Sequence, residues 1–200
     1  MDGALLRLDV DIEEVRTRLG ALFAPRGVTR PFRPILRRIR EAAREVGDPS
    51  LEAAGLAILS EWEVRAAASA HARAGVASVI EALAARGDRL GLVTDNGGAC
   101  VAPALAAAGL PAVFASIGTR DDAPSGKGAA LARVLSALGD GETWYVIDHA
   151  SEAELGRAAG IHVAAFAGGG GAATESDLRR AGAERILGSA AEVLELGTRT

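Results

Sequence analysis

Three polar residues close apolar runs in this chain: Thr94 after LGLV, Lys127 within SGKG, and Asp148 after TWYVI. A hydroxyl, an ammonium and a carboxylate, if gathered in one place, suit a phosphoryl group and a metal ion. Thr94 is followed by Asp95, Asn96, Gly97 and Gly98, a turn whose exposed amides can cradle phosphate oxygens. Lys127 opens the helical pattern GAALARVLSAL, so its charge and the free amides of a first helical turn can meet the same anion. Glu152 lies four residues beyond Asp148, and two carboxylates one helical turn apart can hold Mg²⁺ directly or through water. Plainer readings stand beside these. Asp148 or Ser151 can cap the helix, with Glu152 complementing its dipole; a surface lysine is usually a solvated charge, and Thr before Asn-Gly-Gly is ordinary turn chemistry.

Such residues converge only if their strands are parallel members of one sheet, because ligands of open α/β sheets bind outside the carboxyl ends of the strands. From Arg89 onward the chain has that rhythm. Apolar runs at 90–94, 112–117, 143–148, 162–167 and 185–187 alternate with helical patterns at 99–108, 127–138, 150–159 and 175–182, which predicts a parallel, doubly wound α/β core. Residues 12–87 read instead as nearly continuous helix. Gly47 and Gly87 mark helix ends, and Ser50 after Pro49 a helix start. The expected organisation is a core of residues 1–11 and 88–200 with an inserted α-helical cap at 12–87. The glycine run from Gly168 to Gly171 reads as a loop after a strand.

Composition narrows the function classes. With 49% hydrophobic and 24% charged residues, 200 residues can bury a full core. The net charge of −4 argues against nucleic acid held by whole-protein charge. A lone cysteine, Cys100, excludes an intramolecular disulfide and a thiolate metal cluster. The apolar stretches are too short and too interrupted to span a membrane, and the acids in residues 1–20 do not fit a signal sequence. A cytoplasmic protein acting on a small molecule is the expectation; the sequence leaves its oligomeric state open. His71 in a cap helix, His149 and His162 form no metal-ligating set, and Trp62 and Trp144 read as packing residues.

In the second helical segment Arg30, Arg33, Arg37, Arg40 and Arg44 recur at three- and four-residue steps. Phe32, Ile35, Leu36, Ile39, Ala43 and Val46 take the opposite face. The arginines form either a solvated face or a positive surface that draws anions to the crevice.

Taken together and in this order, the motifs resemble those of the haloacid dehalogenase superfamily, with a phosphoglycolate-phosphatase-like arrangement. LGLVTDNGG is similar to the family's second motif and implies Thr94 as a phosphate ligand, with Asp95 and Asn96 beside it. TRDDAPSGKG is similar to the third, implying Lys127 as the cation that neutralises phosphate and nucleophile. YVIDHASEAELGRAAGIHVAAFAGG is similar to the fourth, implying Asp148 and Glu152 as metal residues. The departures are Ile147 for Gly, His149 for a small polar residue, Glu152 for the second Asp, and no prolines after the lysine. The resemblance implies a Rossmannoid core, a helical cap between the first motif and the second strand, and Mg²⁺-dependent hydrolysis of a small phosphorylated metabolite.

The first motif of that family supplies an aspartate nucleophile at the end of the central strand and an aspartate acid/base two residues on. Two registers compete for it. In one, residues 5–8 form the strand, Asp9 is the nucleophile and a metal ligand, and Asp11 is the acid/base, although Arg7 then falls in a buried strand. In the other, Asp2-Gly3-Ala4-Leu5 resembles the end of the motif, Asp2 is the acid/base, and nucleophile and strand lie upstream of Met1. The implied mechanism is attack of an aspartate on phosphorus, followed by hydrolysis of the aspartyl-phosphate. The alternative is a catalytically silent relative that binds a phosphorylated ligand or a protein partner.

Overall fold

Unbroken apolar runs flanked by amphipathic segments fold from Leu90 onward as the periodicity predicts. The computed structural model describes residues 1–123, 125–168 and 173–197. Strand β3 (Leu90–Val93) leads into helix α5 (Gly98–Ala107) and strand β4 (Phe114–Gly118), and helix α6 (Lys127–Leu138) into strand β5 (Trp144–Ile147). Helix α7 (Ala150–Ala158), strand β6 (His162–Phe166), helix α8 (Glu175–Ala181) and strand β7 (Arg185–Leu187) complete the series. All pairings among β3 to β7 are parallel. The core is thus α/β, as expected. Of the predicted glycine-rich loop, Gly169 to Gly171 lie outside the described residues.

The helical block has its own interior. Helices α1 (Ile12–Phe23), α2 (Ile35–Val46) and α3 (Pro49–Ala67) bury Val15, Leu19, Phe23, Ile39 and Leu59 against one another. Helix α4 (Val76–Arg86) differs: it packs Val76, Val79 and Ile80 against Leu92, Cys100 and Ala104 of the α/β part. Gly47 and Gly87 end their helices in the left-handed conformation that glycine alone adopts without penalty. Helix α3 is capped by Asp48, whose carboxylate accepts from the Ser50 amide, so the cap is one residue before Pro49 rather than after it. Arg30 and Arg33 precede α2 and so do not share its face, and the arginines are largely paired: Arg33 meets Glu13, Arg37 meets Glu41 and Arg40 meets Glu52. That favours the solvated-face reading over a free positive surface. Arg38 is buried, held by both carboxylate oxygens of Glu45.

The amino-terminal strand departs most from expectation. Only Leu6–Arg7 forms a strand, β1, and it pairs antiparallel with β2 (His71–Ala72), not with β3 or β5. His71 is therefore in a strand, not a helix. A charged residue at the second of two strand positions cannot be buried between parallel strands; Arg7 instead reaches solvent while Leu6 is buried. As a result the core sheet is in two parts, β3-β4 and β5-β6-β7, with no described strand joining β3 to β5.

Layers on both sides bridge the two parts. On one side α6 shares a cluster with Val93 and with Tyr145 and Leu155. On the other, Val193 of the 3-10 segment Ala190–Glu195 packs with both the α4 cluster and the cluster of Ala4, Phe166 and Leu187. Arg73 pins the amino-terminal turn between them: its guanidinium donates to the Gly3 carbonyl at 3.0 Å and lies 4.1 Å over the Phe166 ring.

Candidate functional site

The polar residues that follow β3 and β5 meet at the first residue of α6. Thr94, buried directly after β3, donates its N–H to Gly118 O at 2.9 Å, which continues the β3-β4 ladder. Its hydroxyl donates to Asn96 Oδ1 at 2.7 Å and accepts from the Asn96 amide at 3.1 Å, closing a tight turn. Asp95, next in the chain, lies 3.6 Å from the Lys127 ammonium. Lys127 is the first residue of α6 and forms an ion pair with Glu152 from the first turn of α7. The structure thus brings Thr94, Asp95, Asn96, Lys127 and Glu152 into one cluster.

Asp148 joins them from the end of β5. It is 5% exposed. Helix α7 is capped at His149 without a side-chain bond, so neither Asp148 nor Ser151 acts as the cap. The Asp148 carboxylate has no hydrogen-bond donor among the described residues. Burial pushes its pKa up, with Glu152 adding to the rise and His149, the Met1 ammonium and Lys127 opposing it. Burial would raise Glu152 too, but the Lys127 charge and hydrogen bond outweigh it and hold Glu152 below its ordinary value. Lys127 is the mirror case: burial alone would lower it, and Glu152 and Asp95 hold it above its ordinary value.

The amino-terminal turn occupies the remaining side. Gly3 has φ +86°, and a Cβ added there would overlap Asp148 Oδ2, so this position needs glycine twice over. Leu5 N–H bonds Met1 O at 2.9 Å, and Asp2 accepts from the Leu8 amide at 3.0 Å. The Met1 ammonium is buried among Lys127, Glu152, Asp148 and Asp2, and burial followed by the Lys127 charge lowers its pKa. Nothing in the letters Met1 to Gly3 signals this beyond the Asp-Gly turn.

Asp9 and Asp11 have other work. Asp9 is half exposed and accepts from Arg7 Nε at 2.8 Å. Asp11 is the N-cap of α1, accepting from the Glu14 amide. The central strand that was to deliver Asp9 as nucleophile and Asp11 as acid/base is absent, so that register loses its structural premise. The predicted metal set of Asp9, Asp148 and Glu152 is not assembled: among the described residues no three His, Cys, Asp or Glu side chains are grouped to hold a metal. Asp148 alone fits a hard cation, being a buried carboxylate with unused oxygens. Mg²⁺ commonly takes one or two carboxylates and completes its shell with water and phosphate oxygens.

A buried network that sequence reading missed holds the Thr94 loop. Arg120 follows β4, and its guanidinium grips both carboxylate oxygens of Glu63 on α3, at 2.8 and 2.9 Å. It also donates to Asp95 O at 2.9 Å and Ser60 Oγ at 2.7 Å. Glu63 accepts further from the Gly97 amide at 3.0 Å and from Asn96 Nδ2 at 3.3 Å. No periodicity or motif links residues 57 positions apart.

The model of the family described as haloacid dehalogenase-like hydrolase matches residues 36–166, well over half of the chain. The chain belongs to that family. Solved structures similar to this haloacid dehalogenase-like chain include a hydrolase from Pseudomonas syringae, at 17% identity and TM-score 0.71, covering 97% of this chain and 93% of that one. A predicted phosphoglycolate phosphatase from Haemophilus somnus 129PT aligns at 14% identity and TM-score 0.69, covering 99% and 95%. A family hydrolase from Deinococcus radiodurans R1, with bound phosphate and sodium, aligns at 19% identity and TM-score 0.62, covering 96% and 90%. No curated protein matches the chain. At these identities the likeness establishes the haloacid dehalogenase-like fold and no more. Among the described residues no helix is long and apolar enough to cross a membrane.

Proposed function

We propose that the crevice binds the phosphoryl group of a small phosphorylated metabolite together with Mg²⁺, and that this chain does so without the aspartyl-phosphate chemistry assigned to Asp9. The observation that carries the reading is the meeting of the Thr94 turn and the unbonded Asp148 carboxylate at the Lys127 ammonium. Lys127 supplies charge to the phosphoryl oxygens; the Thr94, Asn96, Gly97 and Gly98 amides are each bonded within the protein, so of that turn the Asp95 amide would orient them. Asp148 would hold Mg²⁺, with Glu152 contributing through water; the ion, when bound, neutralises phosphoryl charge. The family membership supports the reading, as does the phosphate bound in the Deinococcus radiodurans relative. Helices α1 to α3 would serve as the cap over this opening.

A second reading is favoured by the contact of Gly3 with Asp148, which sets Asp2 at the edge of the crevice. There Asp2 is the acid/base of a phosphatase, and the reaction requires an aspartate nucleophile two residues before it. The test is titration of inorganic phosphate with and without Mg²⁺, alongside hydrolysis of an aryl phosphate. Saturable, Mg²⁺-enhanced phosphate binding is expected without turnover. A charge-assisted hydrogen bond contributes about 1.5–3 kcal/mol, so Lys127→Ala should weaken binding roughly ten- to hundredfold while the far-ultraviolet spectrum is kept. Absence of phosphate binding by the folded wild type overturns the proposal; turnover gained by a chain extended upstream to carry an aspartate two residues before Asp2, and abolished by Asp2→Asn, establishes the second reading.

A further inference from the structure

Helix α3 takes part in two interiors. Its first half buries Leu51 and Leu59 in the helical block, and its last turn buries Ala66 and Ala67 against Cys100 and Ala104 of α5. Between these ends Ser60 and Glu63 lie three residues apart and share a face, and that face meets the backbone of the turn after β3. The approach is close. A Cβ added at Gly97 would stand 2.9 Å from Arg120 Nη2, 3.1 Å from Ser60 Oγ and 3.4 Å from Glu63 Oε2.

The bonds across this contact fix the turn atom by atom. Glu63 accepts from the Gly97 amide and the Asn96 side chain, and Arg120, while gripping Glu63, donates to the Asp95 carbonyl. The Asn96 amide, at the other end of the same peptide unit, donates to Thr94 Oγ1. The Asp95–Asn96 peptide is thus held at its oxygen and at its nitrogen. Gly98 beyond it donates to Asp121. Of the amides from Thr94 to Gly98, only that of Asp95 has no acceptor among the described residues.

Holding α3 against the core does not call for charges. Apolar residues of similar volume often hold two elements together at least as firmly as a buried ion pair, and here the Glu63 and Arg120 side chains are buried from solvent. What the charges add is aim, because a guanidinium and a carboxylate bond particular atoms in a fixed geometry. We propose that Glu63 and Arg120 are positioning residues of the anion site. From behind the turn, they let the helical block set the orientation of the Asp95 amide, the donor that meets the phosphoryl oxygen in the phosphate-binding reading on which this role rests. Phosphate affinity is then set in part from α3, and by linkage a bound phosphate strengthens the hold of α3 on the turn.

Glu63→Leu combined with Arg120→Met separates aim from stability. The pair is removed whole, so no charge is stranded and the local net charge is unchanged, while the Asp95 carbonyl and the Gly97 amide lose their partners. Inorganic phosphate, titrated by calorimetry, should bind this double variant about tenfold more weakly than the wild type, the worth of one misdirected hydrogen bond to a charged group. The loss should persist although the double variant melts above Arg120→Met. Arg120→Lys keeps the charge but lacks the planar fork that reaches Glu63 and the Asp95 carbonyl together, so it too should weaken binding, which keeps the test open if the double variant fails to fold. Arg38→Met with Glu45→Leu, the same exchange in a pair inside the helical block, should bind phosphate as the wild type does. Affinity that follows melting temperature across these variants, or that stays at the wild-type value in both Arg120 variants, overturns the positioning role and leaves the phosphate-binding reading in place. A folded wild type that binds no phosphate overturns both.

Discussion

Replacing Arg120 by methionine should be the most costly single change near the crevice. Side-chain exposure is 2% for Arg120 and 5% for Glu63, so water screens the pair little. Arg120→Met removes four hydrogen bonds and leaves the Glu63 carboxylate with only the Gly97 amide and the Asn96 side chain. Breaking a buried pair from one side costs about 3–5 kcal/mol, because an uncompensated charge stays behind. For a chain of this length each kcal/mol moves Tm by about 2–4 °C, so a fall of roughly 10 °C is expected. The double variant Arg120→Met with Glu63→Leu should be more stable than Arg120→Met alone, since no charge is then stranded. Urea denaturation of the four proteins measures this. A single-variant cost below about 1 kcal/mol, the range of exposed pairs, or a double variant equal to the sum of the singles, would refute the reasoning.

Gly3→Ala should destabilise more than Gly27→Ala: both have positive φ, but only at Gly3 would the new methyl overlap a side chain, that of Asp148. Backbone strain alone costs about 1 kcal/mol, so the difference between the two urea midpoints isolates the overlap. The Glu152 carboxyl, held below its ordinary 4.5 mainly by Lys127 against the effect of burial, stabilises the fold above pH 4.5 and loses that contribution as pH falls through its lowered value. Glu152→Gln should accordingly flatten the acid limb of stability against pH. Asp148 has the opposite sign, because a raised pKa makes the folded state the better proton binder. Stability should fall as pH rises from 3.8 to the raised value, and Asp148→Asn should remove that slope. Cys100, pushed up to about 11 by burial, should resist iodoacetamide at about pH 8 in the folded protein and react once unfolded in urea.

The parallel core was legible because its signal is local: each strand after Leu90 is a short apolar run closed by Gly, Asp or Thr, and each helix has its own stripe. The meeting of Thr94, Lys127 and Asp148 was legible for the same reason, since parallel strands put their carboxyl ends together whatever the loops do. Residues 5–8 were not. Leu5, Leu6 and Leu8 satisfy a strand pattern, and only the tertiary context decides that Leu6 and Arg7 pair with Ala72 and His71, which follow α3 in the chain. Residue type pointed to Ser50 as the start of α3, and backbone geometry puts the cap at Asp48 instead. The Glu63–Arg120 pair carries no periodic signature at all, and a buried ion pair can be recognised only once its burial is known.

The split sheet changes what holds the crevice in shape. In a continuous sheet, the spacing between the ends of two strands is set by the hydrogen-bonded ladder between them. Here Thr94 is tied to β4 through Gly118, and through Asn96 and Asp95 to Glu63 and Arg120. Asp148 belongs to the other part, where β5 pairs with β6 and Gly3 closes over its carboxylate. The distance between these two halves of the crevice rests on side-chain packing across α6 and the 3-10 segment, on Arg73 bridging Gly3 and Phe166, and on the Lys127 pairs with Asp95 and Glu152. Lys127 is thus the one crevice cation that pairs with carboxylates from both halves among the described residues. An anion that draws Lys127 away from Glu152 acts on the spacing as well as on the charge.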